Sequence, residues 1–170
     1  GNGDDVIRGL GGWDVIEGGA GNDVLSGGIG IDEFFFDEGA GSDTILDPDA
    51  EDIIQFSDGI ASGQLRLGLG SLRLGYGASG DEIHFQDFNP DDVHGNPLFA
   101  ALQFWSLGQG EESLDGTFED VWTLTEELTY EQALSRGFDL AGTAGNDVLR
   151  GTNIHDRFEG GAGNDALSGG

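Results

Sequence analysis

The sequence predicts an all-β fold, with blocks of stacked parallel β coils at both ends flanking a small β-rich middle segment that holds one short helix. Three observations lead to this fold class. Glycine supplies 33 of the 170 residues, aspartates recur every nine residues near both ends, and a large apolar side chain follows each of them by two residues. The formal net charge is −27, yet 36% of the residues are hydrophobic. A core is therefore expected, but only if something neutralises the carboxylates as the chain compacts.

Charge and composition exclude several classes of function. Acidic residues number 33 against 6 basic ones, so nucleic acid is excluded as a partner, because phosphate binding needs a basic surface. Cysteine is absent, which excludes disulfides and thiol chemistry. No run approaches the roughly 18 apolar residues of a membrane span, and an anionic membrane surface would repel the chain. We therefore expect no membrane insertion by this segment.

The repeat at the start of the chain is nine residues long. Its aspartates are Asp5, Asp14, Asp23 and Asp32, followed after a two-residue insertion by Asp43 and Asp52. The apolar residues two positions later are Ile7, Ile16, Leu25, Phe34, Ile45 and Ile54. The same pattern returns at the far end with Asp147, Asp156 and Asp165, followed by Leu149, Phe158 and Leu167.

A period of nine suits short strands and tight turns. In an α-helix nine residues make about 2.5 turns, so successive aspartates would fall on opposite faces. Glycine at this density would also cost about 1 kcal/mol per site in a helix. The apolar positions instead predict three-residue strands, and the glycine-rich positions predict turns. Two units then make one 18-residue coil, with apolar side chains filling a thin interior and aspartates 18 apart stacked along the turns.

Stacked carboxylates repel one another unless a cation lies between them. Calcium suits such a site, because it takes six to eight oxygen ligands and accepts the backbone carbonyls that glycine turns expose. The sequence offers no soft ligand for zinc or copper. We therefore predict several Ca²⁺ ions, held by the pairs Asp5–Asp23, Asp14–Asp32 and Asp147–Asp165. The alternative is that these are solvated turn aspartates, since aspartate and glycine are common turn residues.

The units GGAGNDVLS and GGAGNDALS match G-G-x-G-x-D-x-U-x at every fixed position. The sequence therefore resembles the RTX family, the haemolysin-type calcium-binding repeat proteins. This resemblance implies a right-handed parallel β-roll with calcium in its turns. It also implies type I secretion of an unfolded chain through a one-step channel, followed by calcium-dependent folding outside the cell.

The resemblance also implies a set of ligands. In such rolls one turn gives the carbonyls of positions 2 and 4 and the carboxylate of position 6, and the turn one coil later gives positions 1, 3 and 6. The first site would use Gly1, Gly3, Asp5, Gly18, Ala20 and Asp23. The second would use Leu10, Gly12, Asp14, Gly27, Ile29 and Asp32. The site near the far end would use Thr143, Gly145, Asp147, Gly160, Ala162 and Asp165. A further site opens at Gly19, Gly21 and Asp23 with its far wall near Gly39 to Asp43, and the implied metal residues also include Asp52 and Asp156.

The middle of the chain divides the two repeat blocks, and we predict boundaries at 1–58, 59–139 and 140–170. Residues 64–88, which resemble the haemolysin-type repeat-related domain, alternate as three strands, with a tight turn flanked by Gly68 and Gly70. Residues 98–107 are a strand or a short helix, 108–116 a loop and 121–124 a strand. Thr129 opens a capping box for a short helix that ends at Gly137. Trp13 is expected at an exposed turn, and Trp105 and Trp122 in the core.

These features predict a protein that is not an enzyme, because no nucleophile, triad or paired catalytic carboxylate is recognisable. We expect a secreted or cell-surface calcium-binding module, serving as a structural or adhesive segment of a larger protein. Further copies of itself, in tandem or in a filament, are expected partners. The alternative is a secretion and folding appendage of an RTX protease or lipase, or of a pore-forming toxin. The chain begins at position 2 of a unit and ends at Gly169-Gly170, so the second block is expected to continue beyond it.

Overall fold

A computed structural model describes residues 1–68, 72–112 and 118–170, and the side chains of these residues except those of 108–112 and 118–121. Its first block is a two-sheet coil. The strands of one sheet are β1 (Val6–Gly11), β3 (Val24–Ile29) and β5 (Ser42–Ile45). The strands of the other are β2 (Val15–Glu17), β4 (Glu33–Phe36) and β6 (Ile53–Phe56). All neighbours within these two groups pair in parallel, so the predicted all-β fold with β-roll blocks is confirmed.

The register of these strands follows the repeat. Ile7 lies opposite Leu25, and Leu25 opposite Ile45 in the next coil. The two-residue insertion lengthens one coil from 18 to 20 residues without changing the register, because the extra residues lie in the turns. A one-residue shift would have turned every apolar side chain to solvent.

The middle segment extends one sheet of the roll. After a short 3₁₀ turn at Ser62–Gln64, an antiparallel meander runs through β7 (Arg66–Gly68), β8 (Leu72–Tyr76) and β9 (Asp81–Phe85). The three strands predicted over 64–88 are confirmed, and the predicted turn beside Gly70 lies outside the described residues. Strand β9 pairs in parallel with β5, so the meander is stacked directly on the first block.

Two strands of the second block continue the same sheet, and its other two form a separate parallel pair. The strands of this block are β12 (Phe138–Ala141), β13 (Val148–Arg150), β14 (Asp156–Glu159) and β15 (Ala166–Ser168), of which β13 and β15 form the separate pair. Strand β12 pairs in parallel with β7, which gives an eight-stranded sheet in the order β1-β3-β5-β9-β8-β7-β12-β14. This sheet crosses both predicted boundaries, at 58/59 and 139/140, and the division into three segments stays a prediction.

A long hairpin extends the other sheet. Strand β10 (Ala101–Glu112) pairs in parallel with β6 and antiparallel with β11 (Phe118–Thr129). The loop predicted over 108–116 is wrong for residues 108–112, which continue the strand through two glycines. The core position predicted for Trp122 is also wrong, because it lies on the outer face of this hairpin and is 52% exposed. Trp105 is half-buried, whereas Trp13 is exposed as predicted.

The predicted short helix is confirmed as α1 (Tyr130–Leu134). The Thr129 hydroxyl accepts from the Gln132 backbone N–H at 3.3 Å, and the Gln132 side-chain oxygen accepts from the Thr129 N–H at 2.8 Å. This reciprocal pair satisfies two backbone donors at the start of the helix. Gly137 follows the helix with a positive φ of 75°, as its predicted ending requires.

The core lies between the two sheets and is thickest where the first block meets the middle segment. Phe56 is its centre, with ring centroids 5.0 Å from Tyr76 and 5.1 Å from Phe104. In the first block the apolar repeat residues from Ile16 to Ile54 are buried. In the second block the apolar repeat residues are more accessible, and Leu167 is 48% exposed. The described ends of the roll therefore expose the apolar side chains that stacking buries elsewhere.

Candidate metal centre

The turns before the strands stack the repeat aspartates one coil apart. In each pair, the backbone N–H of the lower aspartate donates to Oδ1 of the upper one. These distances are 2.8 Å for Asp5–Asp23, 2.9 Å for Asp14–Asp32, 2.9 Å for Asp23–Asp43, 3.1 Å for Asp32–Asp52 and 3.0 Å for Asp147–Asp165. The stacking is thus confirmed for the three predicted pairs, and it extends to Asp23–Asp43 and Asp32–Asp52, which are 20 residues apart. Each upper carboxylate has one oxygen fixed by backbone.

In three aspartates of the first block the second carboxylate oxygen lacks such a partner. Oδ2 of Asp14, Asp23 and Asp32 is buried and has no hydrogen-bond partner among the described residues. Asp23 and Asp32 are each only 1% exposed. A buried carboxylate oxygen without a partner is costly, and bound cations are one of the few ways to offset that cost. These three oxygens fit the oxygen ligands that calcium prefers.

Glycine at the first position of each unit leaves room for the carboxylate. A Cβ built on Gly18 would lie 2.1 Å from Oδ2 of Asp23, and one built on Gly27 would lie 2.1 Å from Oδ2 of Asp32. The carboxylate therefore lies over the glycine of its own unit, a position that any side chain would block. The glycine at position 1 thus allows the aspartate carboxylate at position 6 to pack against the backbone of its own turn.

The backbone carbonyls predicted as ligands lie in these stacked turns. Gly3 N–H donates to the Ala20 carbonyl at 2.6 Å, and Ala20 N–H donates to the Gly1 carbonyl at 2.9 Å. In the second column, Gly12 N–H donates to the Ile29 carbonyl at 2.8 Å. A carbonyl oxygen has a second lone pair, so these bonds leave each of them able to bind a cation. The assignment of individual ligands stays a prediction.

The coil that contains the insertion places turns over Asp23 and Asp32. Above Asp23, the Ala40 carbonyl accepts from Gly21 N–H at 2.8 Å, so the far wall predicted near Gly39 to Asp43 does lie over this turn. Above Asp32, Asp52 also accepts from the Asp49 N–H at 3.1 Å through Oδ2. Asp52 therefore has both oxygens bound by backbone, unlike the aspartates below it.

Burial makes the upper aspartates reluctant to ionise. It raises the pKa of Asp43 to about 6, and the charges of Asp23 and Asp81 act in the same direction against a backbone hydrogen bond that lowers it. Burial likewise raises the pKa of Asp52 to about 7, with the charges of Asp49 and Asp32 adding to it. A cation beside these carboxylates would reverse the direction, because an opposite charge favours the ionised form.

The second block differs at position 2 of its first two units, where Thr143 and Thr152 replace glycine. The Thr143 hydroxyl donates to both oxygens of Asp147, at 3.2 and 3.1 Å. The Thr152 hydroxyl donates to Oδ1 of Asp156 at 2.9 Å, and the Thr152 backbone N–H donates to Oδ2 at 2.8 Å. Asp156 also lies opposite Phe138 in the coil below, so the structure pairs it with an aromatic residue and not with a second aspartate. These carboxylates have local partners that the aspartates of the first block lack.

Two features of the turns were missed from the sequence. Asp81, which is 5% exposed, accepts from the N–H groups of Gly39 at 2.8 Å and Gly41 at 3.1 Å, and so ends the column above Asp43. A second ladder runs through position 5 of the units, where Asp4 accepts from the Asn22 N–H at 2.8 Å. The repeated G-N-D was a visible signal for this ladder, whereas Asp81 lies outside the nine-residue period.

The candidate sites contain few side-chain ligands each. Across residues 1–68, 72–112 and 118–170, no three acidic or histidine side chains converge as a metal cluster. The stacked turns bring two carboxylates together, and backbone carbonyls supply the other oxygens within reach. No helix in these same ranges has the length and hydropathy to cross a membrane.

Comparison with known proteins identifies the repeats. A family model of the RTX calcium-binding nonapeptide repeat matches residues 1–34 and 141–170, in four copies, which confirms the predicted similarity at both ends. A comparison with curated proteins found no match. Among solved structures, the extracellular lipase LipA from Serratia marcescens matches at 20% identity and a TM-score of 0.25, over 100% of this chain and 23% of that one. This chain spans about a quarter of that lipase chain.

Proposed function

We propose that this chain is a non-catalytic module of a secreted RTX protein, which binds several Ca²⁺ ions in its stacked turns and folds on binding them after export. The observation that carries the proposal is the set of buried, unpartnered oxygens on Asp14, Asp23 and Asp32, stacked in register with a second carboxylate. The match of RTX calcium-binding repeats to both ends supports it independently.

The carboxylates oppose folding until a cation joins them. A charge of −27 on a chain of 17.8 kDa favours expanded states, and the buried aspartates add a desolvation cost. A ligand that binds only the folded chain stabilises it by RT ln(1 + [L]/Kd). At ten times Kd this is about 1.4 kcal/mol per site, so several sites together reach the stability of a typical domain. Because calcium is scarce before export and abundant outside, the chain would stay unfolded until it has left the cell.

Within the larger protein, we propose a structural or adhesive role at the cell surface or outside the cell. The eight-stranded sheet through both blocks supports such a role, because it makes a continuous stacked unit to which further copies can be added in tandem. The second candidate is a secretion and folding appendage of an RTX protease or lipase, or of a pore-forming toxin, which the match of RTX repeats to both ends of the chain also fits. Flanking sequence separates the two: repeated copies favour the first, and a catalytic domain favours the second.

Far-UV circular dichroism during a calcium titration, with magnesium as the control, tests the calcium-dependent folding. We expect a cooperative gain of β signal with calcium and none with equal magnesium, because magnesium demands tighter octahedral geometry and dehydrates reluctantly. A spectrum that stays folded in strong chelator would contradict the proposal. It would indicate a preformed acidic β domain instead.

A further inference from the structure

A cavity lies away from the stacked aspartate turns, against the outer face of the sheet that contains β4, β6 and β10. It has a volume of about 460 Å³. Its lining residues are Glu17, Phe35, Asp37, Gln55, Phe56, Ser57, Trp105 and Trp122. None of the stacked repeat aspartates is among them, so this cavity is separate from the candidate metal centre.

The long hairpin creates this cavity by projecting beyond the roll. Strand β6 ends at Phe56, whereas its neighbour β10 continues to Glu112. Trp105 and Trp122 lie on that projection, and Trp122 is 52% exposed although it is among the largest apolar side chains in the protein. Two tryptophans beside the half-buried Phe35 give the cavity an aromatic wall that no other described element covers.

The charged groups that line the cavity are carboxylates, and its other polar side chains are Gln55 and Ser57. Glu17 and Asp37 are both exposed, and no basic side chain is among the residues that line the cavity. The amide of Gln55 is already used, because it donates to Glu33 at 2.8 Å. Aromatic faces next to unneutralised carboxylates attract cations, through the ring quadrupole and through direct charge.

An adjoining cavity of about 410 Å³ shares Glu17, Phe35 and Asp37 with the first and adds Glu38. Its other lining residues are small: glycines, alanines and one asparagine. The shared carboxylates thus lie between an aromatic cavity and a shallow one walled largely by backbone. The second cavity also borders Gly1, Gly19 and Ala20, which are among the predicted calcium ligands, so the candidate site is the first cavity with the carboxylates at its edge.

We propose that this surface binds an arginine side chain of a partner peptide. A guanidinium is planar, stacks on aromatic rings and donates to carboxylates in a fixed fork, so it uses both kinds of wall at once. The strongly negative chain also draws cationic partners towards the cavity. A neutral oligosaccharide could stack on the tryptophans and donate hydroxyls to Glu17 and Asp37, but it would leave both negative charges without a counter-charge.

Titration of the calcium-loaded chain with acetyl-Gly-Arg-Gly-amide, followed by tryptophan fluorescence, tests the proposal. We expect saturable binding, at least about 10-fold weaker for the same peptide with citrulline, which is isosteric but uncharged. Trp122→Leu should weaken binding by about 5-fold, since removal of one aromatic face removes a cation–π contact. Trp122 is exposed, so this substitution leaves the fold intact, and circular dichroism in calcium verifies it.

Matched controls separate the cavity from the general negative charge. Glu17→Gln with Asp37→Asn should weaken binding by about 10-fold, whereas Glu51→Gln with Asp58→Asn removes the same charge from exposed positions elsewhere and should leave it unchanged. Trp13→Phe, an exposed tryptophan outside the cavity, should also have no effect. Equal binding of the arginine and citrulline peptides, or equal effects of the two double variants, would overturn the proposal. So would binding of cellotetraose with none of the peptide.

Discussion

Asp23 belongs to two stacked pairs, as the upper partner of Asp5 and the lower partner of Asp43. Asp5, at the end of its column, belongs to one pair among the described residues. Aspartates at the same position of the repeat therefore contribute to one or to two candidate sites, depending on whether they lie at the end or within the column. This difference makes the calcium stoichiometry a test of individual residues.

We predict that Asp23→Asn lowers the number of bound calcium ions by about two and Asp5→Asn by about one, because each shared carboxylate supplies charge to both of its neighbours. Isothermal titration calorimetry measures the stoichiometry. Asp4→Asn is the matched control, since Asp4 is exposed and its remaining oxygen still accepts from Asn22. Equal stoichiometry for all three variants would show that the stacked carboxylates do not hold calcium.

Glycines with positive φ differ in what surrounds them. Gly12 (φ +130°) has open space where a Cβ would lie, whereas a Cβ on Gly30 (φ +133°) would lie 1.9 Å from the Gly12 carbonyl oxygen of the turn below. We predict that Gly12→Ala costs about 1–3 kcal/mol of unfolding free energy from backbone strain alone. Gly30→Ala should cost clearly more, because it also forces two turns apart. Urea unfolding in saturating calcium measures both, and equal losses would mean that the turns are not packed this closely.

At the scale of elements, the repeat pattern predicted the strands of both blocks because apolar side chains at a fixed spacing can share one interior only in one register. The meander β7–β9 and the capped helix α1 were also predictable, since strict alternation and the Thr129–Gln132 box are local signals. The full length of β10 and β11 was not. Glycines within β10 signalled a loop, and the antiparallel pairing of this strand with β11 extends it through Gly108 to Glu112, beyond the four residues that pair with β6.

In the candidate site, too, the features set by the repeat were predictable, and those set by side-chain or long-range contacts were not. Stacking of aspartates follows from the period, but the threonine contacts that occupy Asp147 and Asp156 depend on side-chain geometry inside one turn. Asp81 depends on a non-local pairing, because only the parallel contact of β9 with β5 brings it over the turn of Gly39 and Gly41.

Asp81 joins the first block to the meander, and its removal should weaken that junction. We predict that Asp81→Ala lowers the free energy of unfolding by about 2–4 kcal/mol, since it leaves two backbone N–H groups without their acceptor. Glu38→Ala is the control: Glu38 accepts from the Ala78 N–H but is exposed, so water replaces its bond and the loss should stay below about 1 kcal/mol. Chemical denaturation in excess calcium measures both. If Asp81→Ala unfolds no more easily than Glu38→Ala, the junction does not depend on this carboxylate.

At the scale of the whole molecule, two terms oppose folding without calcium, and salt acts differently on each. Repulsion among exposed carboxylates is screened, because the Debye length falls to about 3 Å at 1 M salt. The buried oxygens of Asp14, Asp23 and Asp32 are screened far less, since they are inaccessible to counterions in bulk solvent. Salt should therefore reduce the repulsion among exposed carboxylates but not the free-energy cost of burying the unpartnered aspartate oxygens in the turns.

We accordingly predict that chelation expands the chain towards the radius of gyration of an unfolded chain of this length, about 44 Å. Adding 1 M sodium chloride should shrink this radius in part without restoring the cooperative β signal, whereas calcium at millimolar concentration should restore both. Small-angle scattering and circular dichroism on the same samples measure the two quantities. Full recovery of structure by sodium chloride alone would mean that net charge is the whole barrier to folding. The stacked turns would then be packed without needing a specific cation.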